Sequence, residues 1–199
     1  MDAALAWLVA TMVAFAPLER ASVERGMPGW AETKEQREER YVGIAKAVAE
    51  VASDPDEKPV FGGPSGRSRT AALLLAIAFH ESGFARDVDL GPCYRGRQSD
   101  GARCDYGRAA CIMQIHTQDG RTIDGYTKEE LFQDRVKCIR SGLHLVQKSF
   151  ASCKKNPAKH RLAAFASGRC DAGQAGSERL LSLGERFATR IAGPRIVAR

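Results

Sequence analysis

TAALLLAIAFHESGF, residues 70 to 84, contains nine consecutive apolar residues, Ala71 to Phe79, followed by His80, Glu81, Ser82 and Gly83. A helix that is apolar around its whole circumference must be covered on every side, and this run is far too short to span a bilayer. Ser68 or Thr70 supplies an N-cap and Gly83 a C-terminal stop. The segment therefore predicts a core helix that ends by delivering the Glu81 carboxyl to the rim of the interior. Desolvation penalises the charged form, so a carboxyl held there keeps its proton, as a general acid working near neutral pH requires. The plainer alternative is a helix-end glutamate pointing into water, and this stretch alone leaves both open.

The remaining composition is that of a soluble globular chain: 199 residues, 44% hydrophobic, 27% charged and few aromatics. The net charge of +6 suits an anionic partner such as a bacterial wall, nucleic acid or a membrane surface. Basic residues are not clustered with aromatics and no nucleic-acid motif occurs, so nucleic acid is not expected. The six cysteines (93, 104, 111, 138, 153 and 170) point to disulfides and an oxidising compartment. Without a CxxC or a zinc spacing, neither a metal nor a cofactor is expected.

Residues 3–18 form a weakly hydrophobic run with the length of a signal-peptide core but without a basic leader, since Asp2 precedes it. It reads as a signal, an anchor or a helix packed on a partner. A charged connector follows, Trp30 included, so residues 1–30 stand apart. From about Glu32 to Ala52 the pattern is helical, with Tyr41, Ile44, Ala45, Val48 and Ala52 on one face and Asp54-Pro55 ending it. PVFGGPSGRS, residues 59–68, reads as a surface loop, so 31–64 forms a helix and loop packing on the main domain. Residues 85–110 read as a long functional loop, with Asp87 and Asp89 solvated or turn-forming. Thr127 and Glu130 form a capping box opening a helix with the stripe Phe132, Val136, Ile139, Leu143, Val146 and Phe150. Asn156-Pro157 starts another helix ending near Gly168, and a last amphipathic helix carries Leu180, Leu183, Phe187 and Ile191. The fold class is mainly α.

Three segments in this order carry a resemblance: Glu81-Ser82-Gly83-Phe84, then Cys111-Ile112-Met113-Gln114 beginning 30 residues after the acid, then Phe165-Ala166-Ser167-Gly168. Together they resemble the lysozyme-like superfamily of lytic transglycosylases and goose-type lysozymes, with its E-S, G-L-M-Q and Y-N-A-G segments. Gly142 also resembles a glycine that this family places before an apolar pair. The resemblance spans roughly residues 65 to 190 and implies a lysozyme-like catalytic domain over 65–195, with a buried central helix and a long loop region lining the cleft. It implies cleavage of the β-1,4 bond between N-acetylmuramic acid and N-acetylglucosamine in peptidoglycan, with Glu81 as general acid. DYGRAACIMQ resembles the D-x-G-x-x-x-G-L-M-Q run of goose-type lysozymes, which makes Asp105 the second carboxylate of a hydrolase. It implies Gln114 and Met113 as cleft lining, with Ser82, His116 and Phe165 beside the substrate. Asp100 is a weaker second-carboxylate candidate.

Where the family has glycine this chain has Cys111, and where it has Tyr-Asn this chain has Phe165-Ala166. These departures keep open a catalytically inactive wall-binding or phage virion module of the same fold, and a chitin-cleaving relative is a third option. The partner is the peptidoglycan glycan strand, with virion proteins or a membrane reached through residues 3–18 as further possibilities. The location is extracytoplasmic or virion-associated. His80 diverges from Glu81 by about 100° on a helix. There is no H-E-x-x-H for a zinc peptidase and no nucleophile elbow around Ser82. An antiparallel hairpin of the helices on either side of residues 154–157 would make Cys138–Cys170 a favourable disulfide. Cys93–Cys104 would close the long loop, with Cys111 and Cys153 undecided.

Overall fold

The computed structural model describes residues 2–19, 31–91 and 104–198, and the chain is mainly helical. In order, the elements are α1 (Ala3–Phe15), α2 (Lys34–Ser53), α3 (Gly66–Ser82), α4 (Arg86–Leu90), α5 (Cys104–Gly107), β1 (Ala109–Ala110), β2 (Ile115–His116), α6 (Lys128–Gln133), α7 (Arg135–Ser152), a 3-10 turn (Ala158–His160), α8 (Ala163–Ser167) and α9 (Gln174–Arg190).

Helix α3 is the axis of the molecule. None of the residues from Ala71 to Ala78 exposes more than 1% of its surface. Helices α9, α2, α7 and α1 surround it. Full burial of Leu73, Leu74, Leu75 and Ile77 contributes roughly 1.5–3 kcal/mol each relative to exposure. The helix starts earlier than expected, after Ser65, whose side chain makes no cap bond. Ser68 and Thr70 are not caps, because their hydroxyls fasten other segments to the helix. Ser68 Oγ donates to the Pro194 carbonyl at 2.8 Å and accepts from the Ile196 amide at 2.9 Å. Thr70 Oγ1 accepts from the Val60 amide at 3.0 Å and donates to the Gly66 carbonyl at 2.8 Å. At the other end Gly83 takes the left-handed conformation (φ 60°) that only glycine adopts without penalty, and its amide closes on Phe79.

The apolar segment at the N-terminus is covered by this chain's own helices. Leu8 and Met12 of α1 are fully buried, the Trp7 indole donates to the Ile191 carbonyl at 2.9 Å, and Tyr41 Oη donates to the Ala16 carbonyl at 3.1 Å. Phe15 stacks on Phe187 at 3.9 Å and meets Phe79 edge-on. Trp7, placed outside the domain by sequence, thus belongs to the core, whereas Trp30 lies outside the described residues. No described helix is long and apolar enough to cross a membrane. Helix α2 buries the expected stripe of Tyr41, Ile44, Ala45, Val48 and Ala52, and opens with a Thr33/Gln36 capping box.

Asp87 and Asp89 are not solvated loop residues. Helix α4 turns both inward, with 0% and 2% exposure. Asp89 receives a bidentate pair from Arg135 (2.9 Å from Nε, 2.7 Å from Nη2) and lies 3.8 Å from Arg40, which itself binds Glu32. Four side chains from distant parts of the chain thereby meet in one charged network, which the spacing of acids along the sequence does not reveal.

The predicted long helix after Thr127 is two helices. The Thr127/Glu130 capping box opens α6 as expected. Asp134 then stops it and caps α7, accepting from the Val136 and Lys137 amides at 2.9 and 3.2 Å. The stripe survives the break, with Ile139, Leu143 and Val146 buried and Phe132 covering Gly91.

The disulfide Cys138–Cys170 does not form. Cys153 pairs with Cys170, and Cys138 with Cys111. The reason is length: α8 has only five residues, ending at Gly168 as expected, so the return leg never travels back along α7. Fifteen residues of helix separate Cys138 from Cys153, about 22 Å at 1.5 Å per residue. Cys170 therefore stays at the Cys153 end. Cys104 is itself disulfide-bonded, while Cys93 lies outside the described residues.

The short β1–β2 hairpin pairs Ala109 with His116 and Ala110 with Ile115. It is fastened to α7 by Cys111–Cys138 and by Met113, which lies over Gly142. A Cβ at position 142 would sit 2.4 Å from Met113 Cε and 3.2 Å from Cγ. Gly142→Leu is therefore expected to destabilise the protein by about 1–3 kcal/mol. In a denaturant double-mutant cycle, combining it with Met113→Ala should cost less than the sum of the two single changes. Additive losses would mean that the two residues do not hold the hairpin on α7 together.

Candidate active site

Glu81 sits in the last turn of α3, one turn past the fully buried stretch, and is half-buried. Burial alone pushes its carboxyl above the ordinary glutamate range. Among the described residues, no cation and no hydrogen-bond donor meets it. The turn beneath it is closed by Ser82, whose Oγ donates to the Ala78 carbonyl at 2.6 Å and accepts from the Phe84 amide at 3.1 Å. Ser82 thus shapes the helix end that presents the acid. Phe84 follows in a left-handed conformation (φ 55°), buried against Tyr41 and Phe79 at ring distances of 5.6 and 5.5 Å. His80 is exposed as a whole, but partial desolvation of its ring, together with the nearby charge of Arg179, holds the imidazole below the ordinary histidine range.

Helix α9 runs antiparallel to α3: Leu73 lies against Gly184, and the chain after α9 returns to Ser68 at the start of α3. The first turns of α9 therefore lie at the Glu81 end, where Arg179 acts on His80. Helix α8 packs on those turns, with the Ala166 Cβ 2.9 Å from where a Cβ on Gly176 would sit. Phe165 to Gly168, far from Glu81 in sequence, are thus brought to the acid's end of the molecule. Phe165 is partly buried, and its amide donates to Ser149 Oγ at 3.0 Å.

Asp105 of α5, with Gln114 and His116 of the adjoining hairpin, forms a second group. The Asp105 carboxylate accepts from Arg108 Nη2 at 3.0 Å, and its other oxygen lies 3.5 Å from His116 Nε2. The Gln114 amide turns inward, donating to the Cys111 carbonyl at 3.1 Å and reaching Cys104 Sγ at 3.5 Å. Met113 is in the core at 1% exposure and offers no surface to a ligand. Among the described residues, no hydrogen bond or ion pair joins Glu81 to Asp105. Asp100 lies outside the described residues.

One property of this group has no counterpart in the sequence pattern. Cys104, Asp105, Cys111 and Gln114, none of them glycine, all have positive φ, from 44° to 55°. Each such residue costs on the order of 1–3 kcal/mol, and such strain collects where a backbone must present something specific. Cys111 in particular takes the conformation that glycine would take, with its cross-link to Cys138 holding it there. Lys128 Nζ adds a bond to the Gly107 carbonyl. The sequence reading also missed His144, whose ring is flanked by Glu57 and Asp124. Only the polar face of α7 hinted at it. An open groove of about 730 Å³ elsewhere, lined by Leu5, Lys46, Glu50, Ile196 and Val197 among others, contains none of the predicted site residues.

No family model, no curated protein and no solved structure gives a significant match to this chain.

A carboxyl whose folded-state pKa lies above its unfolded value lets the folded state bind more protons, so folding stability falls as pH rises through that interval. The penalty is absent below the ordinary glutamate value and present in full above the raised folded value. Glu81→Gln should therefore melt at a higher temperature than the native protein at neutral pH, with the two converging below about pH 4. Coincident melting curves across that range would show that Glu81 carries no desolvation penalty.

Proposed function

We propose that this chain is a peptidoglycan-cleaving glycosidase with a lysozyme-like fold, in which Glu81 is the general acid. The observation that carries the reading is the state of Glu81: a half-buried carboxyl without a partner among the described residues, pushed toward its protonated form at the end of a buried helix. Asp89, Glu57 and Asp124, by contrast, are each met by arginine or by His144. Support also comes from the position of Phe165 to Gly168 at the acid's end of the molecule and from the glycine-like backbone of Cys111.

In this mechanism Glu81 donates its proton to the glycosidic oxygen as the sugar ring acquires oxocarbenium character. Two fates follow. In a hydrolase Asp105 holds a water for attack on the opposite face, which needs a carboxyl separation of roughly 6.5–9.5 Å. In a transglycosylase Glu81, now ionised, takes the proton from the sugar's own 6-hydroxyl and a 1,6-anhydro end results. Arg108 and His116 would keep Asp105 oriented, and Gln114 and Cys104 would fix the turn that bears it. The net charge of +6 suits the anionic wall, and the disulfides suit an extracytoplasmic or virion-associated setting.

A second reading, a wall-binding or virion module without catalysis, draws on the use that Gln114 and Met113 make of their side chains inside the protein.

Purified protein with intact disulfides is expected to release muropeptides from peptidoglycan, with Glu81→Gln lowering the rate by about 10²–10⁴-fold, the usual contribution of a general acid. Mass analysis separates anhydro from reducing ends. Asp105→Asn should abolish the reducing-end product and leave any anhydro product. No release by the native protein, with wall binding retained in both, would select the binding module.

A further inference from the structure

His144 of α7 lies between two carboxylates on opposite edges of its ring. Nδ1 is 2.6 Å from Asp124 Oδ1, and Nε2 is 3.1 and 3.0 Å from the two oxygens of Glu57. An ionised carboxylate only accepts hydrogen bonds, and a neutral imidazole has one N–H. Both contacts are satisfied together only by the imidazolium, whose two N–H groups point at the two acids. The carboxylates come from different segments: Glu57 from the loop that follows α2, and Asp124 from the turn that precedes α6.

We propose that Glu57, His144 and Asp124 form a proton-operated clamp that fastens the loop after α2 and the turn before α6 onto α7 while both ring nitrogens carry a proton, and that loosens the turn when one is lost. The surrounding charges support this division of labour. On the Glu57 side, Arg140 pairs with Glu57 at 3.1 Å and with Asp54 at 2.8 Å, Arg67 binds the Asp54 carbonyl, and Gln147 Nε2 donates to the Lys58 carbonyl at 2.7 Å. That loop keeps permanent tethers. On the Asp124 side, among the described residues, the ties to α7 are His144 itself, Ser141 Oγ at 2.6 Å from Asp124 Oδ2, Lys137 over the Tyr126 ring at 5.0 Å, and the charge of Arg140 acting on Tyr126. Loss of the His144 proton removes the attraction that offsets the negative charge on either side of the ring, and the turn has the fewer replacements.

The sign follows from the direction of the histidine's shift. Burial lowers its proton affinity, but hydrogen bonds and charge from Asp124 and Glu57 raise it, and the net direction is up. Its contribution is therefore complete below the ordinary histidine value and is lost as pH rises through the folded-state value. The clamp does not depend on what Glu81 does, and it would stand if the chain cleaved no glycan.

The test uses the full chain. Ring ¹⁵N shifts should show His144 doubly protonated at about pH 6, with a midpoint above the ordinary histidine value. Hydrogen-exchange protection of residues 122–127, corrected for intrinsic rates, should fall severalfold between about pH 6 and about pH 9 as the His144 proton is lost. In His144→Gln the turn should show the lower protection at both pH values. If that variant does not fold, Glu57→Gln keeps the clamp testable, because the His144 midpoint should then fall relative to the native protein. A singly protonated His144 at pH 6, protection of the turn unchanged between the two pH values, or a midpoint unmoved in Glu57→Gln would each overturn the clamp.

Discussion

A helix covered on every face can meet solvent or substrate only at its ends, and the rest of this molecule follows from that constraint on α3. Its sides are occupied by α1, α2, α7 and α9, so chemistry borne by α3 must come from its last turn. There the sequence changes within two residues from phenylalanine to histidine and glutamate. Gly83 ends the helix at once by turning left-handed, and Phe84 returns immediately to the core. Glu81 is thus held between an apolar interior and the surface by backbone on both sides, with no counter-ion among the described residues. That is an arrangement in which burial alone sets proton affinity.

The hairpin solves a different problem. Cys111 and Gln114 in its turn, and Cys104 and Asp105 of the adjoining α5, occupy a region of backbone space in which glycine is at ease. Something must make that conformation cheaper than the alternatives. Three restraints converge on it: the Cys111–Cys138 cross-link, the close seat of Met113 on Gly142, and the inward amide of Gln114. By loop entropy alone a cross-link of this span contributes on the order of 3–4 kcal/mol. Cys111 therefore holds a left-handed conformation (φ 55°) and anchors it covalently to α7.

What could be read from the sequence follows the range of the forces involved. The core helix, the α2 stripe, the Thr127 capping box and the Gly168 stop are local patterns, expressed within one or two turns, and they are present in the structure. What was missed depends on partners distant in sequence. Asp89 looked solvated because Arg40 and Arg135 approach it from about fifty residues away on either side. Ser68 and Thr70 looked like caps because hydroxyls near a helix start usually are, whereas here Pro194, Ile196 and Val60 engage them. The cysteine pairing failed on a length: a five-residue α8 was read as a helix long enough to run back along α7. The mainly α class was legible in the sequence, but the site was visible only as the acid and a loop.

The sorting of acids by partner also explains why Glu81 stands out physically and not only by resemblance. Glu32, Asp89, Glu57 and Asp124 all lie within the fold or at its edge, and each is met by arginine or by His144. A protein that buries carboxyl groups as structure supplies them with cations, because an unpaired buried charge costs several kcal/mol. Glu81 is given none among the described residues, although Arg179 lies close enough to act on the neighbouring His80. Moving that guanidinium onto Glu81 would stabilise the carboxylate and remove its ability to hold a proton near neutral pH. An acid left unpaired among the described residues, in a fold that pairs Glu32, Asp89, Glu57 and Asp124, is the pattern expected when proton affinity is the property being kept.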